Sequence, residues 1–385
     1  MDDEICGCLL SVYPKGLAEL RLVNGDIEDR IVIPAGIVSN LCDTLQRCCP
    51  DLKSLIFDYV EFDGKCLDIW KFLSASGIPQ IDCRIRCNDF SSVDFLSNWQ
   101  NVPDCVRCLN LTLPFGPAGW KYTRCNLEAL TIDVTSKNGN FVVPENGPLF
   151  PRLRYLKIQN GGAVALPWES FTSGGELRVL QLVADKVPSS FPKIHLVAAK
   201  NPFLTEVVCW QSNLSQETKT LFFSLASIVS LRKLSLSLLK WDGDATDLAI
   251  AKRYKAISPV ETMKLSLSVG EVAESFFALF SATYPNLKHL EFELKYDESN
   301  LQEFPLPTGN PAILRLPLLK SFTFHMFCEL SYDIEYLNFI LSTGDCNRHM
   351  ILDGSKIEFL EFTDIDNLAL DSSRADDDSD GRVLM

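Results

Sequence analysis

The fold is decided by the stretch FPRLRYLKI at residues 150–158. The same pattern returns as YPNLKHLEF at residues 284–292 and as CPDLKSLIF at residues 49–57. In each copy the last two core residues are two positions apart, which places both on one face of a short strand. The first leucine lies three residues earlier and turns into the same core. Each copy therefore predicts a short strand with one apolar face.

The pattern recurs along most of the chain. Ten further copies start at Leu17, Ile78, Val106, Leu127, Leu177, Leu204, Leu231, Val260, Leu319 and Ile357. Together with the three copies above, this makes 13 copies spaced 21 to 38 residues apart. Leucine-rich repeats have periods of roughly 20–29 residues. A unit of this size cannot bury its apolar face alone, so consecutive units must stack. The spacing predicts an α/β leucine-rich-repeat solenoid of horseshoe form, with parallel strands on the concave face and helices and loops outside.

The segments between copies differ in character. Apolar residues with helical spacing predict helices at residues 37–48, 67–74, 216–228, 247–256 and 271–283. Segments rich in Gly, Pro and Asn predict loops at residues 114–119, 136–140, 144–148 and 302–317. We predict one array of about 13 irregular units over residues 1–365, followed by an acidic, disordered tail at residues 366–385.

The net charge and the lack of targeting signals indicate which partners and which compartment to expect. The 385-residue chain has 36 Lys and Arg against 50 Asp and Glu, for a net charge of −14. This balance argues against nucleic acid and anionic membranes as partners, because both demand a basic surface. No apolar stretch is long enough for a membrane span, and the N-terminus is acidic where a signal peptide is basic. A cytoplasmic or nuclear protein is predicted, with its 14 cysteines reduced.

The Pro-x-Leu-x-x-Leu-x-Phe strands, the irregular units and the cysteine-rich strands resemble the leucine-rich-repeat region of F-box proteins, over roughly residues 10–365. The resemblance implies a substrate-recruiting subunit of a cullin-type ubiquitin ligase. In that family the repeats bind the target, and an N-terminal F-box binds the Skp adaptor. No helical block opening with a Leu-Pro pair precedes the copy at Leu17. Binding to the Skp adaptor and the cullin would therefore require an F-box supplied upstream.

Two other functions stay open. One is a free-standing scaffold or regulator built from leucine-rich repeats, with no link to a ligase. The other is a GTPase activator built from leucine-rich repeats, although the asparagine that this class carries after the strand is largely absent here. No nucleotide-binding glycine pattern or nucleophile motif is present, and the four histidines lack metal-ligand spacing. We therefore expect a protein that is not an enzyme, needs no cofactor and binds a protein target.

Four cysteines have a spacing that zinc can use. Cys83 and Cys87 are followed after 17 residues by Cys105 and Cys108. The alternative, which we favour, places Cys83 in the core of a repeat strand and Cys108 beside the core residue Leu109.

The repeat itself predicts the binding face. Counted from the first leucine, the third, fifth and seventh positions of a unit point away from the core, toward the concave surface. The candidate partner-binding residues at these positions are Tyr155, Lys157, Gln159, Gln181, Trp210, Lys233, Lys264, His289 and Glu291. Tyr155 and Trp210 are of the type that anchors protein interfaces, although Trp210 could instead pack under a loop. Three lysines on this face favour a partner with acidic and aromatic-compatible features.

Overall fold

The computed structural model describes residues 16–23, 31–58, 60–63, 71, 73–86, 102–113, 126–134, 150–160, 174–184, 197–198, 200–211, 217–238, 258–269, 274–296, 312–327, 350–353 and 358–364. The chain divides into two compact units, Met1–Leu204 and Thr205–Met385. The predicted helix at residues 247–256, the loops at 114–119, 136–140 and 144–148, and the tail at 366–385 lie outside the described residues.

Unit 1 contains a parallel sheet. Its strands are β1 (Glu19–Val23), β2 (Ile31–Pro34), β3 (Ser54–Asp58), β4 (Val60–Asp63), β5 (Gln80–Arg86), β6 (Val106–Leu113), β7 (Ala129–Val134), β8 (Tyr155–Asn160) and β9 (Val179–Ala184). The main sheet has the order β1-β3-β5-β6-β7-β8-β9, and β2 pairs separately with β4. Helix α1 (Ala35–Cys48) follows β2 directly.

Unit 2 repeats this plan. Its strands are β10 (Glu206–Gln211), β11 (Lys233–Leu238), β12 (Thr262–Val269), β13 (His289–Tyr296), β14 (Ala312–Arg315), β15 (Ser321–Phe327), β16 (Met350–Asp353) and β17 (Phe359–Asp364). The main sheet has the order β10-β11-β12-β13-β15-β17, with a separate parallel pair of β14 and β16. Helices α2 (Glu217–Ala226) and α3 (Glu274–Thr283) precede β11 and β13.

The strands lie where the repeated pattern predicts them. Every strand of the two main sheets begins two residues after the first apolar residue of a copy, except β6, which begins on Val106 itself. Within each unit, the strand pairs in the described part of the chain are parallel, as in the pairing of Leu156 with Leu180 and of Leu234 with Met263. Within each unit this is a solenoid-like stack of parallel strands, and the corresponding part of the prediction is confirmed.

A tight turn leads the chain into most strands. The amide of the first apolar residue donates to the carbonyl three residues earlier, as Leu153 does to Phe150 and Leu287 to Tyr284. Proline is favoured just after the first residue of such a turn, because its fixed φ suits that position. This accounts for the prolines that recur in the pattern. Phe150 and Tyr284 are fully buried, so each turn also adds a side chain to the core.

The core lies on the leucine side of each sheet. In unit 2 it contains an aromatic cluster of Phe222, Phe223, Phe280 and Tyr284, all almost fully buried. The Tyr284 hydroxyl donates to the Phe222 carbonyl at 2.7 Å, which joins α2 to the residue that follows α3. Burial raises the pKa of Tyr284 well above its ordinary value. The two helices are therefore held against each other by aromatic packing.

One segment differs from the sequence prediction. Residues 302–317 were expected to form a loop, yet Ala312–Arg315 forms strand β14, against which α3 packs. The partner of β14 is β16, which lies far along the chain. A pairing between such distant segments cannot be predicted from the local sequence, and the prolines of residues 302–317 indicate a loop. In the part of the chain that the structure describes, no helix is long and apolar enough to cross a bilayer.

Candidate partner-binding faces

Strand alternation produces an outward face in each unit. On β8 the side chains of Leu156 and Ile158 are buried, whereas Tyr155 and Lys157 are partly exposed and Gln159 is exposed. The same alternation holds on β9 to β13, with two exceptions described below. All nine predicted partner-binding residues therefore occupy outward positions, as the spacing within the repeat predicts.

The outward face of unit 1 is built on β8 and β9. Lys157 and Gln181 are direct register partners on these adjacent strands. The Tyr155 hydroxyl donates to Gln181 Oε1 at 3.1 Å, so the tyrosine ring is fixed across the sheet. Tyr155, Lys157 and Gln181 thus form one continuous surface, with Gln159 exposed farther along β8.

Trp210 anchors the outward face of unit 2. Its Nε1 donates to Ser235 Oγ at 2.8 Å on the neighbouring strand. The Lys264 ammonium lies 5.2 Å from the centre of the indole ring, within the range of a cation–π contact. Trp210 is partly exposed, so one part of the ring meets solvent while the other is held in place.

A charged network continues from Lys264. Its ammonium donates to Glu291 Oε1 at 2.5 Å, and the two residues are register partners on β12 and β13. The same carboxylate oxygen lies 3.3 Å from Nε2 of His325 on β15. Trp210, Lys264, Glu291 and His325 are therefore connected side chains on four strands. Because each contact crosses to another strand, the sheet register fixes the geometry.

Two exceptions to the alternation lie beside this network. Ser266 and Glu293 occupy outward positions, yet they are only 3% and 6% exposed. They are register partners on β12 and β13. Ser266, Glu293 and His325 were not among the predicted site residues, although all three are seventh positions of their units. The count of third, fifth and seventh positions already places Ser266 and Glu293 on the outward side, and continuing it to the unit of Leu319 adds His325.

Lys233 and His289 occupy third positions of their units and are both exposed. The Lys233 ammonium lies 4.0 Å from Glu206 Oε2. His289 Nδ1 lies 2.9 Å from Ser321 Oγ. Two of the three lysines that suggested an acidic partner, Lys233 and Lys264, thus have a carboxylate beside them. Lys264 is therefore closely paired with a carboxylate, whereas Lys233 lies at the outer limit of an ion pair and its side chain is 65% exposed.

The cysteines were a second candidate site. Cys105 Sγ lies 3.8 Å from the Leu73 carbonyl, and Cys108 pairs in register with Asp82. Burial, and then the nearby Asp82 carboxylate, raise the pKa of Cys108 to about 12. This favours the thiol, whereas zinc binds the thiolate. Cys83 lies in β5 opposite Leu109, and Cys87 lies outside the described residues. Among the described residues, no three potential metal ligands form a group.

No protein-family model matches the chain, and no curated protein matches it.

Proposed function

We propose that this chain is a leucine-rich-repeat protein, without catalytic activity, that recognises a protein partner through the outward faces of its strands. The observation that carries the proposal is the connected group of Trp210, Lys264, Glu291 and His325 on four strands of unit 2. Tryptophan is one of the residue types that dominate the binding energy of protein interfaces.

The fixed geometry of these residues supports a binding role. Association is weakened when flexible side chains must be ordered at the interface. Here the indole is held by Ser235 and the lysine by Glu291, so both are positioned before a partner arrives. In unit 1 the bond from Tyr155 to Gln181 has the same effect. A surface prepared in this way suits recognition better than catalysis, which requires a nucleophile or base in a cleft.

The resemblance to F-box proteins extends the proposal to a substrate-recruiting subunit of a cullin-type ubiquitin ligase in the cytoplasm or nucleus. A free-standing scaffold remains the alternative, and an activator of small GTPases is a less favoured one. Affinity purification of the tagged chain separates them. Recovery of a Skp adaptor and a cullin supports the ligase role. If neither protein is recovered, the ligase role is contradicted and the free-standing scaffold is the remaining candidate. A separate assay tests the activator: the chain should then stimulate GTP hydrolysis by a small GTPase.

Binding through the outward faces is tested with a double variant. Trp210→Ala with Lys157→Glu should abolish most partner recovery in a pull-down, because it removes an anchor in unit 2 and reverses a charge in unit 1. The matched control is Phe203→Ala with Lys200→Glu, which makes the same chemical changes at exposed positions away from both outward faces. Unchanged recovery with the first variant would contradict the proposal.

A further inference from the structure

The outward face of unit 1 contains a notch between β6 and β8. Its floor is Ala129 on β7, and its sides are Cys108 and Tyr155, the register partners of Ala129 on the two neighbouring strands. The Tyr155 hydroxyl donates to Gln181 Oε1 on β9, so the ring leans toward β9 and leaves Ala129 partly exposed. With a strand separation of about 4.8 Å, the two sides lie roughly 10 Å apart. The notch is therefore wide enough for one apolar side chain of a partner.

A row of hydrogen-bond donors borders the notch. The fifth positions of four units, here called the fifth-position row, are Asn110, Thr131, Lys157 and Gln181, and each is the register partner of the next. The Tyr155 hydroxyl occupies Gln181 Oε1, whereas the amide nitrogen of Gln181 has no partner among the described residues. This nitrogen carries two donors. An anionic group beside Lys157 would therefore meet donors on both neighbouring strands.

The charge of Lys157 is not compensated by a neighbouring side chain. Lys157 is partly exposed, and no carboxylate of the described residues lies within ion-pair distance of its ammonium. The described segments with β5 to β9 are residues 80–86, 102–113, 126–134, 150–160 and 174–184. They contain seven Arg and Lys against five Asp and Glu, in a chain with a net charge of −14. This part of unit 1 is therefore more cationic than the chain as a whole.

The carboxylates closest to the notch already have partners. Glu128, at the start of β7, lies 3.4 Å from Arg107 and 3.5 Å from Arg154. Arg154 also lies 3.5 Å from Glu176. Asp133, at the seventh position on β7, likewise has an interaction of its own. Lys157 is thus left to bind an anionic group from outside the chain.

We propose that the protein partner binds unit 1 through an extended segment that places an apolar side chain in the notch and a carboxylate against Lys157 and Gln181. The ammonium and the amide nitrogen lie on adjacent strands, so both oxygens of one carboxylate can accept a hydrogen bond. Ala129 and Lys157 are about 8 Å apart across the sheet, close to the span of two residues in an extended chain. This inference rests on the proposed function, and it assigns the acidic feature expected from the three lysines to Lys157 alone.

Selection of phage-displayed random peptides on the immobilised full chain tests the inference. The selected peptides should be enriched, relative to the starting library, in an acidic residue two positions from an apolar one. Replacing that acidic residue with its amide should weaken peptide binding about tenfold, the effect of losing a charge-assisted hydrogen bond. Replacing the apolar residue with alanine should weaken binding several-fold.

Three variants locate the binding site of the selected acidic peptide. Gln181→Glu still accepts the hydrogen bond from Tyr155, but it loses the amide donors and adds a negative charge, so binding should weaken at least about tenfold. Lys157→Gln should weaken binding about tenfold, because it removes the charge. Ala129→Leu fills the notch and should weaken binding several-fold.

Matched controls make the same kinds of change away from the notch. Lys200→Gln removes the charge of an exposed lysine before β10, and Ala18→Leu enlarges an exposed alanine before β1. Both controls should leave the affinity for the peptide unchanged. Circular dichroism establishes that each variant is folded.

The outcomes separate the inference from the proposed function. Selection of basic peptides, absence of any enrichment, or unchanged affinity in both Gln181→Glu and Ala129→Leu would overturn the acidic segment on unit 1. If Trp210→Ala weakens binding in those cases, an outward face remains the recognition surface. Peptide binding that no outward-face substitution affects would contradict the proposed function itself.

Discussion

Asn201 is a buried polar residue at a position where other units place an apolar one. It is 1% exposed and begins the turn into β10, a position held by Phe150, Ile228 and Tyr284 in other units. Its Oδ1 accepts from the Leu177 amide at 3.1 Å, and its Nδ2 donates to the Val197 carbonyl at 2.8 Å. The side chain thus fastens one repeat to the preceding one. We predict that Asn201→Ala strongly destabilises unit 1.

The magnitude follows from the two bonds. Without the Asn201 side-chain amide, the Leu177 N–H loses its acceptor and the Val197 carbonyl loses its side-chain donor. Each loss costs about 1–3 kcal/mol. The expected loss in the free energy of unfolding is therefore roughly 2–6 kcal/mol. Asn286→Ala is the matched control. Asn286 is partly exposed and makes one such bond, to the Ser258 carbonyl at 2.9 Å, so its loss should cost about 1 kcal/mol.

Two measurements test this prediction. Urea unfolding, followed by far-UV circular dichroism, compares the two variants with the wild type. Hydrogen exchange with mass spectrometry then reports on the Leu177 amide, which should exchange faster in Asn201→Ala and normally in Asn286→Ala. Equal stability of the two variants, together with unchanged exchange at Leu177, would refute the reasoning that the Asn201 side chain joins the two repeats.

Other consequences concern the core, one close contact and the thiols. Phe222→Ala should destabilise unit 2 by about 3–5 kcal/mol because it empties the aromatic cluster, and Tyr284→Phe by about 1 kcal/mol because it removes one hydrogen bond, both measured by urea unfolding. Gly174→Ala should cost about 1–3 kcal/mol and lower the melting temperature, because a Cβ would collide with the backbone of Pro151. Iodoacetamide should label the exposed Cys48 rapidly and the fully buried Cys209 only on unfolding, as read by mass spectrometry. Burial raises the pKa of Cys209 above its ordinary value of 9.0. Above pH 9.0 the thiol of the unfolded chain ionises first, which stabilises the unfolded state, so the free energy of unfolding should fall as the pH rises above 9.0. Rapid native labelling of Cys209, or equal losses for Phe222→Ala and Tyr284→Phe, would contradict the packing described here.

Much of the strand architecture can be predicted from the sequence, because the apolar pattern is local. Leu153, Leu156 and Ile158 lie within six residues, and their spacing alone determines which side of β8 is buried. The placement of Tyr155 and Lys157 on the outward face follows from the same periodicity. The periodicity of the sequence therefore predicts which side chains lie on the outward side of β8.

Contacts between distant segments could not be predicted in the same way. The pairing of β14 with β16 joins segments that share no local signal. The link from Lys264 to Glu291 and then to His325 depends on which strands are neighbours and on their register. The burial of Glu293 likewise results from its surroundings, because an isolated glutamate at a strand position predicts exposure.

Site-specific photocrosslinking tests the recognition surface most directly. A benzophenone amino acid is placed singly at the exposed outward positions Gln159, Lys233 and His289. Control positions are Phe203 and Val229, which are 59% and 83% exposed in the turns that precede strands. We predict that the outward positions give adducts with a protein partner and that the control positions do not. Adducts only from Phe203 or Val229 would contradict recognition through the outward faces.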